Sequence, residues 1–362
     1  MKNTFGNSIT LTLFGESHGK GIGAVIDGLA SGIEINKEYI KQKLQMRRPF
    51  GKISTARVEQ DEFEILSGVF NGKTTGAPLC VLIENKDVKS CDYAEMVDMP
   101  RPSHADYTAN CKYNGFQDYR GGGHFSGRVT VAIVCACAII QYALEKKGIY
   151  VGTHINYTNG IKDDTISSVQ DVKKLNDSIF PVLNEEMAKE MQDMISSIAQ
   201  QGDSIGGVLE TAVFGLPAGV GEPWFDTLEG QLSHAIFSIP AVKGVEFGLG
   251  FGYADAKGSN SNDLFTFDGE KVVTDTNNNG GINGGISNGM PIIFKTAIKP
   301  TPSIQMEQNT LRLSTKQKDV LQIKGRHDPA IIHRARVVVD SLTAFVVADM
   351  LAVKYGTDYL AK

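Results

Sequence analysis

Much that would assign this sequence quickly is missing from it. Its 362 residues include only five cysteines, Cys80, Cys91, Cys111, Cys135 and Cys137, an odd number with no C-x-x-C pair. That argues against a disulfide framework and the common zinc-ribbon spacings, and with no apolar leader the chain reads as reduced and cytoplasmic. Positive charge is not in excess. With 36 Lys and Arg against 41 Asp and Glu the net charge is −5, which argues against a nucleic-acid partner. There are only 12 prolines, and no Pro/Ser-rich linker or charge block divides the chain, so one domain is expected over residues 1–362. The longest apolar run, Val129 to Leu144, contains Thr130 and Gln141. It falls short of the roughly 20 residues of a membrane span, so it reads as a buried core helix with no membrane partner.

Familiar ligand motifs are missing too. There is no H-E-x-x-H and no carboxylate cluster of metal-site type, so no metal is expected. No G-x-G-x-x-G follows an expected strand: Gly248-x-Gly250-x-Gly252 has Tyr253 in the sixth position and leads into no helix. Lys20 lacks the glycine spacing and the following Ser or Thr of a phosphate-binding loop.

Glycine is what the chain has in plenty. Its 39 residues are roughly 11% of the chain against a usual ~7%, and they cluster at 15–23, 121–123, 244–252 and 280–289. Between the clusters, Ser8 to Phe14 alternates like a half-buried strand and Ala24 to Ile26 reads as a second. Asn36 is placed to cap a short helix that buries Ile40 and Leu44 and delivers Arg47 and Arg48 into a loop. Helices are expected over 126–147, over 185–201 on the outside, and from an Asp328 N-cap with Pro329 at its first position to Gly356. Strands are expected at 207–213, 242–251 and 291–298. Strands followed by helices, rather than a strict alternation, favour α+β with antiparallel sheets.

Four motifs carry chemistry. Gly15-Glu16-Ser17-His18-Gly19 has the G-x-S-x-G form of a nucleophile elbow, but a strand rather than a helix is expected after it, which disfavours a serine hydrolase. His18 remains, as an accessible imidazole in a glycine-lined turn suited to acid–base work. Arg120-Gly-Gly-Gly-His124-Phe125-Ser126-Gly-Arg128 combines close backbone approach, a helix N-terminus and fixed charge; the plain alternative is a glycine turn with a serine cap. Arg101-Pro-Ser-His104-Ala-Asp106 and Arg326-His327-Asp328-Pro329 each set a histidine between an arginine and an acid, although Asp328 is equally readable as a helix cap. His333 is expected to face Arg336 or Asp340. Arg47, Arg48, Arg101, Arg120, Arg128, Lys299 and Arg326 all stand at element boundaries, which reads as a converged cationic pocket for a small polyanion.

Together these motifs resemble the chorismate synthases across essentially the whole chain. The resemblance is carried in order by GESHG, Arg-Arg-Pro at 47–49, Arg-Pro-Ser-His-Ala-Asp at 101–106, Asp-Tyr-Arg-Gly-Gly-Gly at 118–123, Ser126-Gly127-Arg128 and Gly-Asp-Ser-Ile-Gly-Gly at 202–207. It continues through Gly-Val-Gly-Glu-Pro at 219–223, Ala-Val-Lys-Gly-Val-Glu at 241–246, Gly-Gly-Ile-Ser at 284–287, Lys-Pro-Thr at 299–301 and Gly-Arg-His-Asp-Pro at 325–329. The resemblance implies a layered α+β fold with helices between antiparallel sheets, and a homotetramer. It implies the 1,4-anti elimination of phosphate from 5-enolpyruvylshikimate 3-phosphate to give chorismate, with reduced FMN required although no net oxidation occurs. His18, His104 and Asp328 match the family's catalytic groups: His18 near the departing phosphate, His104 as a proton source near the flavin, and Asp328 assisting removal of the substrate proton. Arg47, Arg48, Arg128 and Arg326 match anion-holding positions. Flavin contacts are implied at His124, Phe125, Ser126, Pro240, Ala241, Gly284, Lys299, Pro300, Thr301, Pro302, Ser303 and Arg326. Arg47 also matches an arginine associated with NADPH, which such an enzyme uses only if it reduces its own flavin; the second arginine of that pair has no clear match around Lys52. This chain departs from the family's commoner Arg-Ser by carrying His124-Phe125 after the glycines. A flavin-carrying electron-transfer or storage protein, needing the cofactor site but not the substrate arginines, is the non-enzymatic alternative.

Overall fold

Two helices that are apolar on nearly every side need cover on every side, and two sheets provide it. The computed structural model describes residues 2–54, 60–86, 97–323 and 328–362. The first sheet is antiparallel, in the order Thr4–Phe5, Thr10–Gly15, Gly21–Asp27, Leu79–Glu84, Phe63–Ser67. The second is also antiparallel, in the order Val242–Phe247, Ile292–Ile298, Gly207–Phe214, Tyr150–Thr158, Ile161–Lys162. The Thr130–Lys146 helix packs on the first sheet, the Ile332–Tyr355 helix packs on the second, and the two helices pack on each other. This is the α+β layering expected from the sequence, with helices between antiparallel sheets.

The Thr130–Lys146 helix is entered through a 3-10 turn at Gly127–Val129, whose N-cap is Ser126. Counted from Gly127 to Lys146 it is long and apolar enough to cross a membrane, yet 83% of its most apolar 18-residue window is buried within the fold. Cys135 and Cys137 lie inside it as fully buried core residues. Asn36 caps the Lys37–Arg47 helix through a 3.0 Å bond from the Tyr39 amide, and Ile40 and Leu44 are buried as expected. The Glu185–Gln200 helix buries only Met191 and Ile195, in keeping with an outside position.

Three expectations fail, the first being the strand over 242–251, which ends at Phe247 and gives way to a 3-10 helix at Gly250–Asp255. The C-terminal helix begins at Ile332 with no side-chain cap, not at Asp328. Residues before it are held in an extended bridge, with the Ile205 amide donating to the Pro329 carbonyl at 2.7 Å, so the backbone at Pro329 is committed elsewhere. His333 does not turn to Arg336 or Asp340 either. Its Nε2 lies 2.8 Å from Ser54 Oγ, while Arg336 pairs with Asp340 at 3.6 Å.

The chain ends are joined. Both oxygens of Asp349, in the last helix, accept amide protons from Asn7, Ser8 and Ile9, each at 2.8 Å. This satisfies three amides that lie just before the second strand of the first sheet.

Candidate active site

The glycine tract is the floor of the site. Gly121, Gly122 and Gly123 take φ values of 58°, 82° and 53°, a succession that side chains resist and glycine allows. A Cβ on Gly121 would stand 2.2 Å from Cε1 of His18, and one on Gly122 would stand 3.7 Å from Nε2 of His104. Adjacent residues of one loop thus lie against two histidines that are distant in sequence. His18 is only 5% exposed, not the accessible group expected, because the tract packs on its ring. Its Nδ1 lies 3.2 Å from Ser17 Oγ, and the Ser17 amide donates to Gly123 O at 3.1 Å. A strand, Gly21–Asp27, follows this turn, so the geometry of a nucleophile elbow is absent. Arg120 binds Asp118 through Nε at 2.8 Å and Nη2 at 2.7 Å. Those bonds, with a smaller contribution from His18, hold the Asp118 carboxyl below its ordinary range.

The second histidine belongs to a tight cluster. Arg101 grips Asp106 with Nε and Nη2, both at 2.8 Å, and its Nη1 donates to Ser303 Oγ at 3.2 Å. His104 Nδ1 lies 2.6 Å from Asp106 Oδ1. Burial opposes the charge of Asp106, but Arg101 and His104 outweigh it and hold the carboxyl well below its usual range.

One segment ties the site together. In residues 299–303, Lys299 Nζ donates to Ser103 O at 2.5 Å and its amide to Ala241 O at 2.9 Å. Thr301 Oγ1 donates to Asp328 O at 2.8 Å, and Thr301 O accepts from Ser204 at 2.7 Å. Burial, with Lys243 nearby, lowers the Lys299 ammonium from its ordinary value. The Asp328 carboxylate is paired at 2.5 Å with Arg334, whose Nε also donates to Arg47 O at 2.8 Å. Arg334 therefore joins the helix end bearing Arg47 to Asp328, a link the sequence did not disclose.

The remaining arginines do not stand as bare charges. Arg47 donates to Thr130 Oγ1 at 3.0 Å and Gly127 O at 2.7 Å, and lies 3.9 Å from Asp61. Arg128 pairs with the same Asp61 carboxylate and reaches Asn85 Oδ1 at 3.2 Å. Asn85 in turn holds the carbonyls of Glu16 and Gly19, each at 3.0 Å. Arg48 donates to Gln60 O. Arg326 and His327 lie outside the described residues.

The expected flavin positions divide into two groups. His124 Nδ1 meets Gly15 O at 2.8 Å, Phe125 is 39% exposed, and Ser126 caps the 3-10 turn. Pro240 and Ala241 adjoin Lys299 through the amide bond above. Gly284 is not brought to them. It sits in the turn of the Ile282–Ser287 hairpin, beside the start of the Ile292–Ile298 strand, whereas Lys299 follows that strand's end. The strand between those ends has seven residues and is roughly 20 Å long at about 3.3 Å per residue. Among the described residues, no group of three or more His, Cys, Asp or Glu could hold a metal ion.

Two histidines meet on one glycine tract, with the ion pairs Arg101–Asp106 and Arg120–Asp118 beside them, in a layered α+β fold. A family profile described as chorismate synthase matches residues 9–352. The chorismate synthase of Thermococcus kodakarensis is 45% identical over 350 residues, covering 96% of each chain. That of Lachnoclostridium phytofermentans is 46% identical over 364 residues, covering 99% of this chain and 98% of its own. A crystal structure of chorismate synthase superposes with a TM-score of 0.77 at 29% identity, covering 97% of this chain and 94% of its own. The chain belongs to the chorismate synthase family. It is a carbon–oxygen lyase of aromatic amino-acid biosynthesis that eliminates phosphate from 5-enolpyruvylshikimate 3-phosphate to give chorismate.

Proposed function

We propose that the enzyme runs this elimination with reduced FMN at the glycine floor, using His18, His104 and Asp328 as its catalytic groups. The observation that carries the reading is the seating of both histidines on consecutive glycines, one deeply buried and one beside a cleft. That cleft is lined by His104, Asp118, Tyr119, Gly122 and Phe125, and Gln117 Oε1 at its wall is buried with no hydrogen-bond partner among the described residues. The unused acceptor, beside two half-exposed aromatic rings, can take an N–H donor from a molecule bound at the mouth of the cleft. Reduced FMN supplies electron density to the reacting ring when bound, with no net oxidation.

The chain's own groups do the rest. His18, protonated, offsets the charge that grows on phosphate as the C–O bond breaks. His104 would supply a proton near the flavin, and Asp328 would assist transfer of the substrate's C6 proton to the reduced flavin, the base this family's reaction supplies. Lys299 to Ser303, Pro240 and Ala241 fit a cofactor-holding segment, and Arg47, Arg48 and Arg128 fit anion-holding roles, with Arg326 assigned the same role from the motif. NADPH is needed only if the protein reduces its own flavin, in which case Arg47 is the group placed for it.

One domain and a homotetramer complete the reading. The main apolar cluster takes residues from Ile9 to Leu360, with two small clusters besides it, one around Val172 and one around Met99. Trp224, Phe225 and Phe251 are 85%, 95% and 85% exposed, as expected of faces covered by further copies. A second copy is also what would bring a Gly284 to the cofactor. A cytoplasmic location accords with the reduced cysteines.

Anaerobic incubation with 5-enolpyruvylshikimate 3-phosphate and reduced FMN, followed by phosphate release, tests the proposal. Release that requires reduced flavin is expected. No release by folded protein, or equal release with oxidised flavin, overturns it.

A further inference from the structure

Nδ1 of His104 has two close neighbours of opposite demand. Asp106 Oδ1 stands at 2.6 Å and Arg101 Nη2 at 3.0 Å. Arg101 has only protons to offer and an ionised Asp106 only lone pairs, so the proton on Nδ1 decides which contact is a hydrogen bond. The shorter contact requires Nδ1–H donating to Asp106; without that proton, a lone pair would face a carboxylate at 2.6 Å. Asp106 cannot turn away, because Arg101 holds it with the backbone amide at 3.0 Å as well as with Nε and Nη2. The side chains of Arg101, Asp106 and His104 are only 8%, 12% and 19% exposed, so water competes little.

We propose that Asp106 is a positioning residue for the elimination: it fixes His104 as the Nδ1–H form and leaves Nε2, beside Gly122, as the working nitrogen. Arg101 is then the clamp on Asp106, with a donor from each of its three side-chain nitrogens given to Asp106 or Ser303. Nε2 is then the nitrogen at which His104 exchanges a proton with a bound molecule. The other charged groups at this loop are Asp118 across the cleft, itself paired with Arg120, and Lys299, whose Nζ binds Ser103 O. This inference rests on His104 being an acid–base group of the reaction, and the test separates the two.

The test is a double-mutant cycle in phosphate release with reduced FMN. Asp106→Asn is expected to lower kcat about 10²-fold, with KM for the enolpyruvyl substrate changed less than ~3-fold. In a His104→Ala background the same substitution should change the residual rate less than ~2-fold, because Asp106 acts through His104. Asp106→Glu should recover at least part of the rate. Solid-state ¹⁵N spectra of histidine-labelled protein should show the Nδ1–H signature of His104 in the parent and in Asp106→Glu, and its loss in Asp106→Asn. Equal losses in both backgrounds, or a native rate in Asp106→Asn while His104→Ala is inactive, overturn the proposal alone. Native turnover in His104→Ala overturns the role of His104 and this proposal with it.

Discussion

Gly121 lies so close to His18 that even one added methyl has no place: its carbon would stand 2.2 Å from Cε1 and 2.3 Å from Nδ1 of the imidazole. The left-handed φ of 58° adds a backbone cost of about 1 kcal/mol to any side chain there. Gly121→Ala should therefore retain the fold, lose roughly 1–3 kcal/mol of stability, and lose turnover about 10²-fold as His18 is displaced. His18→Ala should lose a similar factor in turnover with much less effect on stability. Parallel urea melts and phosphate-release rates check both; native turnover in either variant contradicts the seating of His18.

Asp61 serves two buried guanidiniums, Arg47 and Arg128. Removing a buried partner leaves its mates uncompensated, which typically costs about 3–5 kcal/mol. Asp61→Ala should show a loss of that order in chemical denaturation, larger than the loss from Lys41→Ala, which breaks an exposed pair.

Two buried histidines should pull stability in opposite directions with pH. Burial disfavours the charge on His154, but its bonds to Asp163 at 2.7 Å and Glu210 at 3.2 Å outweigh it and raise its pKa above the ordinary value. Its contribution is full below about pH 6.5, the unfolded value, and is lost as pH rises through the folded value. His333 is the reverse: burial, with Arg334 and Arg336 nearby, lowers it to about 3. Its neutral form costs stability as pH falls below about 6.5, because the unfolded chain takes up the proton first. His154→Gln should flatten the alkaline side of a stability–pH curve, and His333→Gln the acid side; unchanged curves would refute the assignment.

The chain has a single tryptophan, Trp224, and one chain alone leaves it 85% exposed beside the fully projecting Phe225. If copies meet at this face, tryptophan emission should be blue-shifted in the native protein. Phe225→Asp should lower the mass seen by light scattering and shift the emission to the red. A native protein that scatters as a monomer with red-shifted emission refutes the homotetramer.

How far the sequence disclosed this can be argued residue by residue. The Thr130–Lys146 helix was legible because an all-round apolar pattern has one stable location, between layers. The Asn36 cap was legible because its signal is local. Asp328 misled because an acid before a proline imitates a helix start, while the bridge from Ile205 that keeps Pro329 extended is a distant contact. His333 misled similarly: neighbours on its own helix were visible, and Ser54 was not. The histidines, Asp328 and the glycine tract were legible as motifs. Asp61, Asn85 and Arg334 were not, since their roles come from contacts between segments far apart in the chain. The burial of His18 was hidden for the same reason.

The three amides at residues 7–9 held by Asp349 have a consequence for biogenesis. The first sheet begins forming at the ribosome with its leading edge unfastened, and the carboxylate that fastens it is made about 340 residues later. At roughly 5–20 residues per second, that is a wait of tens of seconds during which the nascent chain holds an incomplete sheet. Fastening of that edge therefore waits until Asp349 has been made, and truncation before Asp349 should leave the amino-terminal strands prone to protease attack and to chaperone capture.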